Sequence, residues 1–364
     1  MALVIVLTIV ALLTITVMEF TYNVQLDHHR TRNALDAMQS KLLARSGINL
    51  AEAFLAQDEE DKYDAFNEEW ALALDEFCSG IAIEPTMKLR CGWEDESGKI
   101  NINLTRPRQS NQQPDPNKVT ADAVYRDALE TIFRLVDIHI DDIGDKLRDY
   151  WGSTPPGAEN DEHARMPDFG SLEDFSAFFR VPPGKLKKLR RYLTAQPGGR
   201  LTRINVNTAP EDVLYAILVG YGNEGGEEAL QSILEQRQND PPFTDNGSVN
   251  SAFSGMDSKI TGALSQMLDV KSSYFRLQAS GLTNADPTGE TAGGIGQTLS
   301  VLVRRTRQAN QRANGDQAIN WTFRRLDWQI EAGARLFHAR ESGFVDSQDE
   351  TDERDEDDSD FSDN

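Results

Sequence analysis

The sequence predicts an α+β fold: a long N-terminal helix packs on a small antiparallel sheet, and a large all-helical domain with a helix-hairpin-helix-like segment is inserted between strands. Three observations predict it. Residues 1–18, MALVIVLTIVALLTITVM, are apolar, with no charge, Gly or Pro, and a helical pattern continues to about Gln57. Period-two strand patterns occur before residue 105 and return after residue 272. Between them the apolar spacing is helical, and the polar segment 106–118, RPRQSNQQPDPNK, marks a linker.

At about 1.5 Å of rise per residue, an eighteen-residue helix reaches roughly 27 Å, which nearly spans a bilayer core. A soluble helix shows a polar stripe, and this run shows none. Residues 1–18 therefore read as a transmembrane helix. A signal peptide would need a basic leading region and a small-x-small cleavage site, neither of which is clear. From residue 19 to 57 there is no Pro and one glycine, Gly47, while Leu35, Met38, Leu42, Ile48, Ala51 and Leu55 recur at three- and four-residue steps. The span thus runs into a water-exposed helix over 19–57. Packing against lipid and partner helices is expected on Leu3, Ile5, Leu7, Val10 and Leu13.

A chain of 364 residues has room for two domains. Its net charge of −22 works against sequence-independent binding to phosphate backbones. Much of that charge is local, since residues 341–364 hold twelve acids and one base. Residues 331–364 read as an acidic, disordered tail, with docking on a basic surface or loose calcium binding as the alternative. The two cysteines, Cys78 and Cys91, suit a strand pair or short loop closed by a disulfide, with two buried thiols as the alternative.

Residues 58–77 read as an acidic helix anchored by Trp70 and Phe77, and 81–84 and 88–94 as strands. A third strand follows, with Ile100, Ile102 and Leu104 inward and Lys and Asn outward, after a solvated turn at Asp95, Glu96 and Ser97. Residues 58–105 are thus the first part of the sheet region, 119–270 the inserted domain and 271–330 the second part of the sheet region. Residues 122–150 read as a long helical stretch ended by WGSTPPG. Ser171 starts another helix, and 182–193 form a basic one whose Lys185, Lys187, Lys188, Arg190 and Arg191 read as a solvated face. In INVNTAPEDVLYAILVGYG, residues 204–222, Thr208 is expected to cap a helix and Gly220 and Gly222 to form a hairpin. Such a hairpin can offer backbone N–H groups to a phosphate, but Glu224, Glu227 and Glu228 follow it and oppose one. Residues 273–280, 297–305 and 320–329 read as strands. The five histidines form no metal or catalytic motif, and no enzyme is expected.

The opening ALVIVLTIVALLT with its extended helix resembles the mature N-terminus of a type II secretion pseudopilin. Most such pilins carry Glu at mature position 5; with Met1 as the first residue that position is Ile5. Absence of that glutamate is similar to the type II secretion system protein K family, the tip minor pseudopilins. A buried carboxylate needs a partner, and a subunit with nothing above it has none to offer. DESGKININL at 95–104 resembles the family's D-x-x-G-K-I-N-L-N signature, Glu69–Trp70 its E-W element, and the I-N-V-N-T-A-P segment part of its inserted domain.

The resemblance implies a single-pass inner-membrane protein with its soluble domain in the periplasm. It also implies processing by prepilin peptidase with N-methylation at Met1. The implied partners are the I and J minor pseudopilins and the major pseudopilin, with no nucleic acid. A family segment of the form D-W-x-D-x-D, then G-A-E, leaves Asp149, Glu159 and Asp161 here as possible calcium donors, Gly152 and Thr154 standing where acids are usual. Calcium takes six to eight oxygens, so the set is sparse. No Lys or Arg precedes the apolar run, whereas Arg30 and Arg32 follow it, an asymmetry that alone would put the domain in the cytoplasm. Removal of a basic leader would resolve the conflict. A tip minor pilin of a type IV pilus and a membrane-anchored helix-hairpin-helix DNA receptor are the alternative functions.

Overall fold

The computed structural model describes residues 2–79, 81–107, 119–140, 142–153, 166–196, 203–220, 224–239, 241–283, 295–311 and 317–332. The first element, α1 (Ala2–Leu55), is one unbroken helix of 54 residues. The chain continues through α2 (Glu69–Cys78), β1 (Ile81–Glu84), β2 (Met87–Asp95) and β3 (Ile100–Asn101). An insertion follows: α3 (Ala121–Leu135), α4 (Ile143–Gly152), α5 (Leu172–Phe179), α6 (Pro183–Leu189), β4 (Leu193–Thr194), β5 (Ile204–Asn205), α7 (Glu211–Leu218), α8 (Gly226–Gln236), α9 (Asn246–Ser251), α10 (Ser258–Met267) and β6 (Leu268–Asp269). The long strands β7 (Tyr274–Thr283), β8 (Ile295–Gln311) and β9 (Gln317–Ala332) complete the described chain.

The main sheet is antiparallel, in the order β1-β2-β7-β8-β9. Strands β2 and β7, far apart in sequence, pair from Met87↔Thr283 to Asp95↔Phe275. The insertion therefore leaves and rejoins the sheet at neighbouring points. Alternation puts Leu89, Cys91 and Trp93, Leu277 and Ala279, and Leu299, Val301 and Val303 on one face, where they pack with Ile48, Ala51 and Leu55 of α1 and Trp70 and Leu74 of α2. A second core, built around Phe133, Phe175, Leu214, Ile217 and Phe253, fills the insertion.

Helix α1 crosses β7 with almost no spacing. A Cβ on Gly47 would lie 2.8 Å from both Ala279 Cβ and Leu89 Cδ1, and one on Gly281 would collide with the Ser40 carbonyl oxygen. The Ser40 hydroxyl donates to the Gly281 carbonyl, and Thr283 Oγ1 donates to the Asp36 carbonyl at 3.1 Å. A disulfide joins Cys78, the last residue of α2, to Cys91 in β2. It bridges a helix end to a strand, and closing a loop of this size stabilises the folded chain by about 3 kcal/mol.

The insertion, together with the β3 strand that leads into it, is built twice over. In its first half β3 pairs in parallel with β4; in its second, β5 pairs in parallel with β6. Each opening strand begins Ile-Asn-x-Asn, and four helices separate it from its partner strand. Asn101 Oδ1 accepts from Asn103 N at 3.2 Å, as Asn205 Oδ1 does from Asn207 N at 3.0 Å. Asn103 brackets the backbone of Phe169, accepting from its N at 2.8 Å and donating to its O at 3.0 Å. Asn207 does the same with Phe243, at 3.2 and 2.9 Å.

Several local expectations are corrected. Residues 58–68 are not helical, because Asp58 and Glu68 take backbone N–H groups at Glu60 and Ala65 and turn the chain instead. The helical stretch 122–150 is two helices, broken where Asp137 and Asp142 adopt left-handed backbone (φ 56° and 57°). The third strand covers only Ile100–Asn101 and pairs with β4 rather than the main sheet. Lys99, Asn101 and Asn103, expected outward, are buried, as are Asp95, Glu96 and Ser97 of the expected solvated turn. The inserted domain also contains two short strand pairs, and β9 continues to Ala332, into the span read as tail. Replacing Gly281 by Val is expected to cost about 3 kcal/mol or more by forcing α1 off β7, read as a lowered denaturation midpoint and lost amide protection over residues 36–48.

Candidate functional site

Two features carry functional information: the bare half of α1 and the polar junction between the two cores. Leu3, Ile5, Leu7, Val10 and Leu13 are all between 55% and 80% exposed. Residues step by about 100° around a helix, so Leu3, Leu7 and Val10 share a stripe, Leu13 flanks it, and Ile5 lies across the axis. The helix is apolar all round rather than on one seam, as a lipid-facing segment requires. Its threonines are satisfied internally: Thr8, Thr14, Thr16 and Thr21 donate to the carbonyls of Ile5, Val10, Leu12 and Val17 at 2.8–2.9 Å. Among the described residues, this one helix is long and apolar enough to cross a membrane.

The junction centres on Arg305 of β8, which is 2% exposed. Its Nη1 donates to Asp58 Oδ2 at 2.7 Å and its Nη2 to Asp64 Oδ1. The guanidinium lies 4.2 Å from the Trp321 ring centre and 4.9 Å from that of Phe275. The Asp64 carbonyl accepts from Asn205 Nδ2 at 2.9 Å, and Asp64 Oδ2 accepts from Ser272 N at 2.6 Å. Asp95 Oδ2 accepts from the hydroxyls of Thr208 and Ser272. The segments 95–104 and 204–210 therefore meet here. Thr208 does not cap α7, whose N-cap is Pro210; its hydroxyl goes to the buried Asp95 carboxylate, which needs donors.

A second ionic group lies alongside. Glu96 accepts from Arg276 Nε at 2.8 Å and Lys99 Nζ at 3.2 Å, and Lys99 also reaches Glu94 at 2.6 Å. Burial alone would push Glu96 up, but Lys99 and Arg276 hold it down at about 2. Burial dominates at Asp58 and Asp95, each pushed up to about 6. Burial and the neighbouring Asp64 carboxylate push Glu68 up to about 8. Asp58, Asp64 and Glu68 have oxygens within 4.8 Å of one another, with Arg305 as counter-cation to the two aspartates. The arrangement is a clasp between sheet and insertion; sequence reasoning missed Arg305, Asp58, Asp64 and Ser272.

Of the calcium candidates, Asp149 is exposed on α4, while Glu159 and Asp161 lie outside the described residues, as does Met1. In the basic cluster, Lys185 donates to the Val136 carbonyl at 3.0 Å and pairs with Asp137, and Arg190 pairs with Glu173. Those two close internal contacts, whereas Lys187 and Lys188 face solvent. Glu224, Glu227 and Glu228 are exposed at the start of α8, and residues 221–223 of the hairpin lie outside the described residues.

No protein-family model matches the chain, and no curated protein matches it. Among solved structures, it is similar to GspK in the GspK-GspI-GspJ complex from the enterotoxigenic Escherichia coli Type 2 Secretion System. The match covers 84% of this chain and 100% of that one, at a TM-score of 0.54 and 16% identity. The fold is therefore a GspK-like pilin fold, a long N-terminal helix on a small antiparallel sheet with a helical insertion.

Arg305→Ala leaves two buried carboxylates without their cation and is expected to cost about 3–5 kcal/mol, read from denaturant unfolding. Arg305→Lys does not restore it, since one ammonium cannot bridge both aspartates in the same plane. Glu68 keeps its proton up to about pH 8 when folded but releases it near 4.5 when unfolded. Stability tied to it therefore falls as pH rises from about 4.5 to 8. Thermal midpoints measured across that window should decline less steeply for Glu68→Gln than for the parent protein.

Proposed function

We propose that this protein is a membrane-anchored minor pseudopilin that works at the tip of a type II secretion pseudopilus, where it nucleates assembly and supports export of folded proteins across the outer membrane. The observation that supports the reading is the fold match to the GspK chain over 84% of this chain, together with the uncovered apolar half of α1. The anchor sits in the inner membrane and the body in the periplasm, a compartment whose oxidising chemistry suits the Cys78–Cys91 disulfide. Prepilin peptidase processes the N-terminus, and Met1 carries the methyl group.

Partners dock through the helix. Proteins of the GspI and GspJ kind, named with GspK in that complex, pack along α1 in the bilayer, and the major pseudopilin follows below. Ile5 supports the end position, because an apolar side chain there makes no demand for a partner amine from a subunit above. The insertion, hung from the end of the sheet far from the anchor, is too bulky for the body of a thin fibre.

Purification of the full-length protein from membranes, with mass spectrometry of its companions and its N-terminus, tests this. Two minor pseudopilins and an N-methylated Met1 are expected. Pilus-type companions would move the protein to the tip of a type IV pilus, and recovery alone with bound DNA would sink the reading. A charge introduced into the span, Val10→Lys, is expected to abolish recovery of the companions while leaving the soluble domain folded by circular dichroism.

A further inference from the structure

Arg304 is the last residue of β8 to pair with β7, where it stands opposite Tyr274, and on its other side it stands opposite Arg324 of β9. Directly opposed residues share a face of the sheet, and like charges so placed repel. Both arginines are exposed, and neither meets a carboxylate among the described residues. Arg304 rests on the Tyr274 ring, 5.7 Å from its centre. Alternation sends the intervening Arg305 the opposite way, to Asp58 and Asp64, so the exposed pair plays no part in the clasp. Beside the pair, helices α5 and α6 and this outer face of the sheet border a cleft of about 100 Å³. Leu172, Leu193, Leu302 and Leu326 give it an apolar lining; Leu302 and Leu326 each lie two residues from one of the arginines. Its acids are already matched, Glu94 and Glu96 by Lys99 and Arg276, Glu173 by Arg190 and Asp327 by Arg276. Lys187, on its wall, is exposed and has no carboxylate partner among the described residues. The unmatched charge around the cleft is therefore positive, in a chain whose net charge is −22.

We infer that this cationic rim docks an acidic segment of another polypeptide, whose carboxylates bridge Arg304 and Arg324 while an apolar side chain enters the cleft. Guanidinium forks match carboxylates in shape as well as charge. Opposed residues lie about 5 Å apart across the strands, so neighbouring carboxylates of one segment reach both forks and relieve their repulsion. The cleft is small, with the space of about three waters, which suits one aliphatic side chain rather than a larger ligand. Lipid is the wrong distance away. Arg325, next to Arg324, pairs with Glu52, thirty-four residues or about 50 Å along α1 from Met18, so headgroups at the lipid end of the helix are out of reach. A nucleic acid would bring phosphates but no aliphatic group for the cleft, and would meet the net charge of −22. This surface lies on the face of the sheet opposite α1, and its role does not depend on the secretion reading.

Full-length protein in a neutral detergent is titrated with a fluorescein-labelled peptide, Glu-Glu-Leu-Glu-Glu, and binding is read by fluorescence anisotropy. The peptide Gln-Gln-Leu-Gln-Gln and a single-stranded oligonucleotide of equal charge are the comparisons. The glutamate peptide is expected to bind, more weakly as salt is added, and the other two to bind far less. Arg304→Gln with Arg324→Gln is expected to lower its affinity about tenfold. Lys187→Gln lowers it to a smaller extent, and Lys259→Gln, exposed on α10, leaves it unchanged. Each variant is checked by circular dichroism. Arg324→Gln alone, a site with no ion pair or ring contact among the described residues, keeps the test decisive if the double variant fails to fold. Absence of binding, equal affinity for the two peptides, an unchanged affinity in the arginine variants, or preference for the oligonucleotide would each overturn the inference. Binding that emerges only in a chain ending at Val345 would assign the surface to this chain's own acidic end and overturn it as well.

Discussion

One buried guanidinium sets the terms for the rest of the soluble domain. A charge taken out of water is costly unless it is paired and its N–H groups are bonded. Arg305 sits on the core side of β8, so it fixes where Asp58 and Asp64 must be, and therefore the path of the chain between α1 and α2. Asp64 in turn holds Asn205 and Ser272, one at the opening of the second half of the insertion and one just before β7. One guanidinium and its two carboxylates thus tie together the segment between α1 and α2, the sheet and the inserted domain. The Trp321 and Phe275 rings around the guanidinium exclude water and strengthen it.

How much of this was legible depended on which kind of pattern carried it. The long helix was readable because nothing interrupts its apolar and amphipathic spacing, and it is one helix of 54 residues. The main strands were readable from alternation, and β2, β7 and β8 lie where alternation puts them. The junction was not, because Asp95, Glu96, Ser97, Lys99 and Asn101 are polar and polar residues default to water. Many of their partners lie about a hundred residues away, as Thr208 does from Asp95 and Gln196 does from Glu96, and one sequence does not reveal such pairs. Two signals were nonetheless present. In Val301-Leu-Val-Arg-Arg the period of two puts Arg305 inward, and Ile-Asn-Ile-Asn at 100 and Ile-Asn-Val-Asn at 204 announce the duplicated halves of the insertion.

Helix α1 and the sheet divide the labour by distance. Its apolar half is bare, while from Ser40 onward it presses onto β7 and β8 with glycines at the closest approach. A contact that close leaves no slack for the helix to swing independently of the sheet. Any force or displacement applied at the lipid end is therefore delivered to the strands as a rigid lever.

The pairing of Asp95 with Phe275 means that the strands on either side of the insertion are already hydrogen-bonded neighbours where it departs. A turn of two or three residues would close that gap as a plain hairpin, since antiparallel neighbours need nothing longer. The main sheet is thus topologically whole without its passenger, and the residues 96–273 ride on it as a graft. A lineage could acquire, enlarge or exchange such a graft without redrawing the scaffold that carries it.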